Sequence, residues 1–153
     1  MKAVVQRVSS SSVSVDGKVV GEIGKGFNIL LGVCQGDKEE DAQMLAGKIS
    51  RLRIFCDEED KMNLSLTDIG GHALVISQFT LCADLKKGNR PSFTDSESPD
   101  RANELYEYFK RCLRENGVTK VESGIFAAKM KVDIVNEGPV TILMDSKTWL
   151  KND

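Results

Sequence analysis

Two short segments hold polar side chains that apolar surroundings do not explain. The first is Ser77-Gln78-Phe79-Thr80-Leu81, at the end of a run that is otherwise almost wholly apolar from Ala73. On an extended chain Gln78 and Thr80 face one way while Ser77, Phe79 and Leu81 face the other. Polar groups placed there must either bond to neighbouring backbone at the strand's end or line a cavity. The second is Asn136-Glu137-Gly138-Pro139-Val140-Thr141, where Gly-Pro between two β-prone runs reads as a turn. A third stretch, Lys86-Lys87-Gly88-Asn89-Arg90-Pro91, is a basic loop, either simply solvated or a place for contact with phosphate.

The chemistry open to these segments is narrow. Thr80 and Ser77 carry hydroxyls, but a hydroxyl nucleophile at neutral pH needs a base, and neither segment holds a histidine or lysine. His72 is the only histidine; it follows Gly70-Gly71 and reads as a turn residue before a strand. No multi-histidine metal site can form, and no Gly-x-Ser-x-Gly elbow supports a Ser-His-Asp triad. Cys34, Cys56, Cys82 and Cys112 are spread without a CxxC pair, so neither a zinc site nor a redox dithiol is expected. The four are expected to be reduced and mostly buried.

The elements that must position these segments follow from periodicity. Met1–Val8 and Ser12–Val15 read as strands bridged by the serines at 9–12. Asp16-Gly17 is a hairpin turn into a strand over Lys18–Ile23. Phe27–Val33 and Ala73–Leu81 are apolar on both faces, as buried central strands are. Asp37-Lys38-Glu39-Glu40 has capping-box spacing ahead of a stripe of Ala42, Leu45, Ala46, Ile49 and Leu52. Ser98-Pro99-Asp100 starts a second helix, whose stripe is Ala102, Leu105, Phe109, Cys112 and Leu113, and Asn116-Gly117 ends it. Alternation from Phe126 to Ile134 predicts a strand with one wet face, and Val140–Met144 another after the break at Gly138-Pro139. The expectation is one α/β domain over residues 1–153, sheet-rich, with two main helices packed on the sheets.

Composition excludes several functional classes. The chain has 153 residues, 41% of them apolar and 29% charged, with 21 Lys+Arg against 23 Asp+Glu. That is a globular domain with no global basic field, so any nucleic acid must be held by a local patch. No apolar stretch approaches the ~20 residues of a membrane span. Met1-Lys2 leads into a strand-like pattern rather than a signal core, from which a cytoplasmic location and no membrane partner are expected.

The chain resembles the D-aminoacyl-tRNA deacylases. Their signatures, SQFTL and NxGPVT, stand here as Ser77–Leu81 and Asn136–Thr141. Supporting matches are Gln6-Arg7-Val8-Ser9, Val15-Asp16-Gly17 and Lys87-Gly88-Asn89-Arg90-Pro91-Ser92-Phe93. Two departures are visible: Cys82 where the family often has an aromatic residue, and Phe126-Ala127-Ala128-Lys129-Met130 in place of a commoner FGAxM run. The resemblance implies hydrolysis of the ester joining a D-amino acid, or glycine, to the acceptor end of tRNA, with no metal or organic cofactor. It implies a compact, barrel-like α/β fold and a homodimer with active sites at the interface. Ser77, Gln78 and Thr80 are then assigned to positioning and transition-state hydrogen bonding, with the ribose 2′-hydroxyl helping to activate water. Phe79 is assigned to the terminal adenine or its pocket. Gly138 and Pro139, joined by a cis peptide, are assigned to rejecting L-substrates from within the partner subunit's pocket. If Phe79 and Thr80 serve one site, a bulge or strand end must bring them together. The competing classes are a non-enzymatic RNA-binding module and an esterase of small molecules.

Overall fold

The computed structural model describes residues 1–150. Its organising element is β1 (Lys2–Val15), which is hydrogen-bonded along both edges. One edge pairs with β8 (Lys131–Asp145) over nearly its whole length. The other edge is shared: β3 (Gly26–Gly32) pairs antiparallel with residues 2–8 and β2 (Lys18–Ile23) with residues 11–15. Pairing with β8 from Ser10, and with β2 from Ser11, supplies the ladder that the serines at 9–12 lack the apolar character to demand. The expected interruption there is therefore replaced by one continuous strand. The Asp16-Gly17 hairpin forms as expected, both residues at positive φ (51° and 79°).

From β3 the sheet continues in parallel to β6 (His72–Ser77) and then β7 (Lys120–Ser123). A two-stranded ribbon of β4 (Phe55–Cys56) and β5 (Met62–Leu64) lies apart. At Gly21 of β2 an added Cβ would lie 2.7 Å from the Ser123 carbonyl of β7. That close approach curls the sheet into a nearly closed barrel, as the family resemblance implied.

Strands β3 and β6 are buried on both faces. Phe27, Ile29, Leu31, Ala73 and Val75 join the main core beneath helices α1 (Glu39–Arg51) and α2 (Pro99–Glu115). Leu74 and Ile76 turn the other way, to a smaller cluster with Val8, Val13 and Ile23. Both predicted helix stripes are core: Ala42, Leu45, Ala46 and Ile49 of α1, and Leu105, Phe109, Cys112 and Leu113 of α2. The expected cap at Asp37 is displaced by one residue. Lys38 is the N-cap, and Asp41 accepts its backbone N–H at 2.8 Å. Asp37 instead accepts the Cys34 N–H and the Met1 ammonium, both at 2.7 Å. A third, short helix, α3 (Lys147–Leu150), follows β8.

Two strand expectations in the last third of the chain fail. Residues 126–130 form a turn, with Ala127 at φ 64°, and β8 begins only at Lys131. The break at Gly138-Pro139 does not divide β8 into two strands, because both flanks pair with β1. The cysteine expectation is also corrected. Cys34 and Cys82 form a disulfide with Cα atoms 5.9 Å apart, while Cys56 and Cys112 are free. Tertiary packing alone brings together residues 48 apart in sequence, so their spacing held no signal.

Tyr106 pins α2 to the sheet. Fully buried, it donates from its hydroxyl to the Val75 carbonyl of β6 at 2.8 Å. Burial, opposed by a hydrogen bond with Ser123, pushes its phenol up to about 12. The folded chain therefore holds this proton after the unfolded chain has released it. Stability is expected to fall by about 2–3 kcal/mol as pH rises from ~10 to ~12. Denaturant titrations at those pH values should show this loss, and Tyr106→Phe should lack that share of it.

Candidate active site

The apolar run entering β6 does not continue as a strand to Leu81, as its pattern suggested. It stops at Ser77, and Phe79–Cys82 form a single 3-10 turn. The Gln78 N–H still reaches the Leu31 carbonyl at 2.8 Å, but the Leu81 N–H then turns back to the Gln78 carbonyl. Gly32 permits this. A Cβ there would lie 2.9 Å from Leu81 Cβ and 3.0 Å from the Gln78 carbonyl oxygen, so the turn sits directly on β3 backbone. The strand therefore ends before Phe79 and Thr80, which share one turn.

Ser77, Gln78 and Phe79 open onto a cavity of about 770 Å³. Its floor is Leu31, Val33, Ile76 and Tyr106, and its far wall is Phe126, Ala127, Ala128, Met130 and Val132. Thr80 is not among the lining residues. It is exposed at the rim, where its hydroxyl accepts from the Gln78 amide at 2.5 Å. Phe79 is 58% exposed and meets Phe93 edge-on at 5.1 Å between centroids. Ser96 donates to the Phe79 carbonyl at 3.3 Å.

The segment over residues 93–98 closes one side and was missed as a site element. Ser98-Pro99 was legible as a helix start, but nothing in the sequence announces that Ser96 bridges to Cys34 or that the Glu97 N–H bonds to the Val33 carbonyl. The 126–130 departure from the family pattern, by contrast, lies where it can reshape the cavity wall. Seven residues before Phe93, the basic loop begins as an exposed finger closed by reciprocal Asp84–Ser92 backbone bonds.

The cavity wall contains no histidine, and His72 stands apart at the start of β6. Among the described residues no cluster of three or more His, Cys, Asp or Glu side chains is placed to hold a metal ion. The lining is mostly apolar, with polar groups concentrated at Ser77, Gln78 and the 94–98 segment. Such a site can orient a polar ligand and donate hydrogen bonds to developing charge, but it has no built-in histidine or lysine base.

Gly138 and Pro139 do not line this cavity. They lie on β8, where Val8 pairs with Asn136 and Gln6 with Thr141, so Arg7 alone faces the residues between. The surplus bulges outward, Gly138-Pro139 is cis, and both residues are exposed. Arg7 holds the base of the bulge. Its Nε donates to the Glu137 carbonyl at 3.0 Å and its Nη1 to the Ile54 carbonyl at 2.7 Å. Gly138 has φ +123°, and a Cβ there would lie 2.7 Å from the Arg7 guanidinium. Within one chain, then, the two signature segments form two separate features.

Comparison with known proteins gives a consistent result. Residues 4–145 match the family described as D-Tyr-tRNA(Tyr) deacylase. A D-aminoacyl-tRNA deacylase of Persephonella marina is 62% identical over 147 residues, covering 96% of this chain and 99% of that relative. One of Thermosipho melanesiensis is 55% identical over 147 residues, covering 96% and 98%. Among solved structures, one titled c-Myc DNA Unwinding Element Binding Protein has a TM-score of 0.90 at 39% identity, covering 95% of this chain and 98% of that one. A probable eukaryotic D-amino acid tRNA deacylase, at 19% identity, shares the fold with a TM-score of 0.78, covering 94% and 97%.

Proposed function

The chain belongs to the D-Tyr-tRNA(Tyr) deacylase family, and from that premise we propose that it hydrolyses the ester of D-aminoacyl-tRNA in the cavity edged by Ser77–Thr80. The observation that carries the reading is a strand that ends in a turn beside an apolar cavity, presenting an amide and two hydroxyls with no histidine or lysine base. An aminoacyl ester is already activated, so orienting water and stabilising the oxyanion suffice. Gln78 and Ser77, with nearby backbone N–H groups, hold the ester and its tetrahedral intermediate. Thr80 fixes the Gln78 amide, and the substrate's ribose 2′-hydroxyl helps to activate the attacking water. Phe79, exposed against Phe93, offers an aromatic face to the terminal adenine. The exposed cations of the 86–90 loop suit acceptor-stem phosphates. The enzyme works in the cytoplasm, where its substrate is made.

Selectivity is assigned to Gly138-Pro139 of a second subunit. Side-chain pockets separate substrates differing by a methylene only ~10–200-fold, so rejecting every L-amino acid calls for rigid backbone read against the α-carbon. The bulge is exposed, rigidly based on Arg7 and absent from its own chain's cavity, as a part donated to a partner would be. Glycine, with no side chain, passes the same filter. What supports a dimer is β8 itself. It pairs only with β1, its other edge is unpaired among the described residues, and Val135 and Leu143 are 53% and 77% exposed on it. Light scattering should give about 34 kDa, twice the 16.8 kDa chain. A species of single-chain mass at micromolar concentration would refute the dimer.

The reading is tested by turnover of paired D- and L-aminoacyl-tRNAs beside a simple aminoacyl ester. D-aminoacyl-tRNA should be hydrolysed and its L-counterpart left intact; equal rates on both, or activity only on the simple ester, would defeat it. Thr80→Ala should lower kcat by at most ~10²–10³-fold, as loss of one hydrogen-bonding group does. Trapping of an acyl-enzyme on Thr80 would overturn its positioning role. Gly138→Ala should leave the far-UV spectrum unchanged, since the bulge is exposed, yet sharply reduce D-aminoacyl-tRNA turnover by pushing the Arg7 contact apart. Parental rates and unchanged rejection of L-substrates would make the bulge scaffold.

A further inference from the structure

The Cys34–Cys82 disulfide has no part in the reaction described above, yet it lies under the segment that reaction uses. Cys82 is the last residue of the 3-10 turn that begins at Phe79, two positions after Thr80. Cys34 lies just beyond β3 and bridges to Ser96, whose hydroxyl donates to the Phe79 carbonyl. One covalent link therefore joins the end of β3 to the turn carrying Phe79 and Thr80, and backbone bridging at Cys34 and the Ser96 hydroxyl tie the 93–98 wall to both. The other ties on the turn are non-covalent: the Leu81 N–H bonds to the Gln78 carbonyl, Ser96 donates to the Phe79 carbonyl, and Leu81 packs on Gly32. The Gln78 N–H bonds to Leu31 at its start, and a single Ala83 N–H bond closes it onto the Thr80 carbonyl at its end.

The link is also reachable. Both cysteines are 3% exposed, but both line a second cavity of about 280 Å³, on whose wall stand Lys2, Lys86 and Lys147 beside Asp84 and Asp95. A cavity large enough for a small thiol, with ammonium groups in its wall, favours thiolate attack and stabilises the thiolate released. Where glutathione and thioredoxin-like dithiols circulate, an accessible bridge is exchanged rather than permanent.

We infer that Cys34 and Cys82 are positioning residues whose disulfide clamps the Phe79–Thr80 turn for turnover, and that reduction by a dithiol loosens the clamp and slows the enzyme. A dithiol's thiolate attacks one bridge sulfur, forming a mixed disulfide and releasing the other sulfur as a thiolate. The dithiol's second thiolate then displaces the first protein sulfur and closes the reductant's own disulfide. Two electrons pass to the protein, and the protons lost by the dithiol end on Cys34 and Cys82. No step touches Cys56 or Cys112.

The inference rests on the deacylase reading for its rate measurement and on nothing but the fold for its structural one. The full chain is equilibrated with oxidised or reduced dithiothreitol, alkylated, and mapped by mass spectrometry. Cys34 and Cys82 should resist alkylation only in the oxidised sample. Equal alkylation in both would show that no bridge forms and overturn the inference. In parallel, reduction should lower kcat on D-aminoacyl-tRNA about tenfold or more, the scale on which small misplacements of positioning groups act, and move KM less than about twofold. The Cys34→Ser/Cys82→Ser double variant should match the reduced enzyme and ignore the reductant. A bridge proven by mass with kcat unchanged on reduction would reduce it to a staple and refute the clamp. If neither state turns over D-aminoacyl-tRNA, the deacylase reading has failed instead. Hydrogen exchange over residues 78–84 then decides: faster exchange on reduction supports the clamp, and unchanged exchange overturns it.

Discussion

The two-sided pairing of β1 is the constraint on which the rest of the structure depends. A strand hydrogen-bonded along both edges cannot shift register without breaking two ladders, so it fixes β3 and β8 relative to each other. Through β3 it fixes β6 in parallel register, and thus the height at which Ser77 ends its strand beside Leu31. Through β8 it fixes where surplus residues must leave the ladder, opposite Arg7. The cavity edge and the Gly138-Pro139 bulge are thus two outcomes of one strand's hydrogen bonding. They are held in a constant relation although they share no contact in the cavity wall.

Close backbone approaches turn that frame into a site. Gly32 lets the Phe79–Cys82 turn rest on β3, and Gly21 lets β2 close toward β7. Each replaces a side chain with backbone at a place where a methyl group would separate two elements by a sizeable fraction of an ångström. Tyr106 performs the complementary task from the helix side, filling the cavity floor while its hydroxyl pairs with a strand carbonyl. A large ring gives bulk, and its buried polar end is paired, so the floor is both apolar and rigid.

Much of this was legible in the sequence because local rules and tertiary needs agree there. Asp16-Gly17 requires two positive φ angles and receives them; Ser98-Pro99-Asp100 starts a helix and its stripe is core. The expectations that failed are those where a partner far in sequence decides. The serines at 9–12 are poor strand formers on their own, and only pairing to β2 and β8 keeps them extended. The run through Leu81 is apolar enough to be strand, but after Gln78 the chain leaves β3 in a turn that settles on Gly32. Phe126–Met130 alternates as a strand would, yet Ala127 takes a positive φ and the segment turns to become cavity wall. Cys34 and Cys82 meet only once β3 and the turn have packed. Of the site, the Ser77–Thr80 segment was visible as polar residues that the apolar pattern could not use, whereas the 93–98 wall left no trace beyond its helix start.

The proposed chemistry and the shape of the site explain each other. In water, an amide and a hydroxyl are weak aids to ester hydrolysis, because solvent competes for every hydrogen bond. In a mostly apolar cavity the same donors act in a lower effective dielectric, where each interaction with developing charge is stronger and the donor has no solvent to reorganise. A histidine in that cavity would bring a cost as well as a benefit, since a general base beside an activated ester activates water whatever the configuration of the α-carbon. If the substrate's own hydroxyl activates water, as proposed, reaction depends on how the substrate sits. On the proposed reading, a site that discriminates by configuration is served by positioning, and the turn at the end of β6 supplies it.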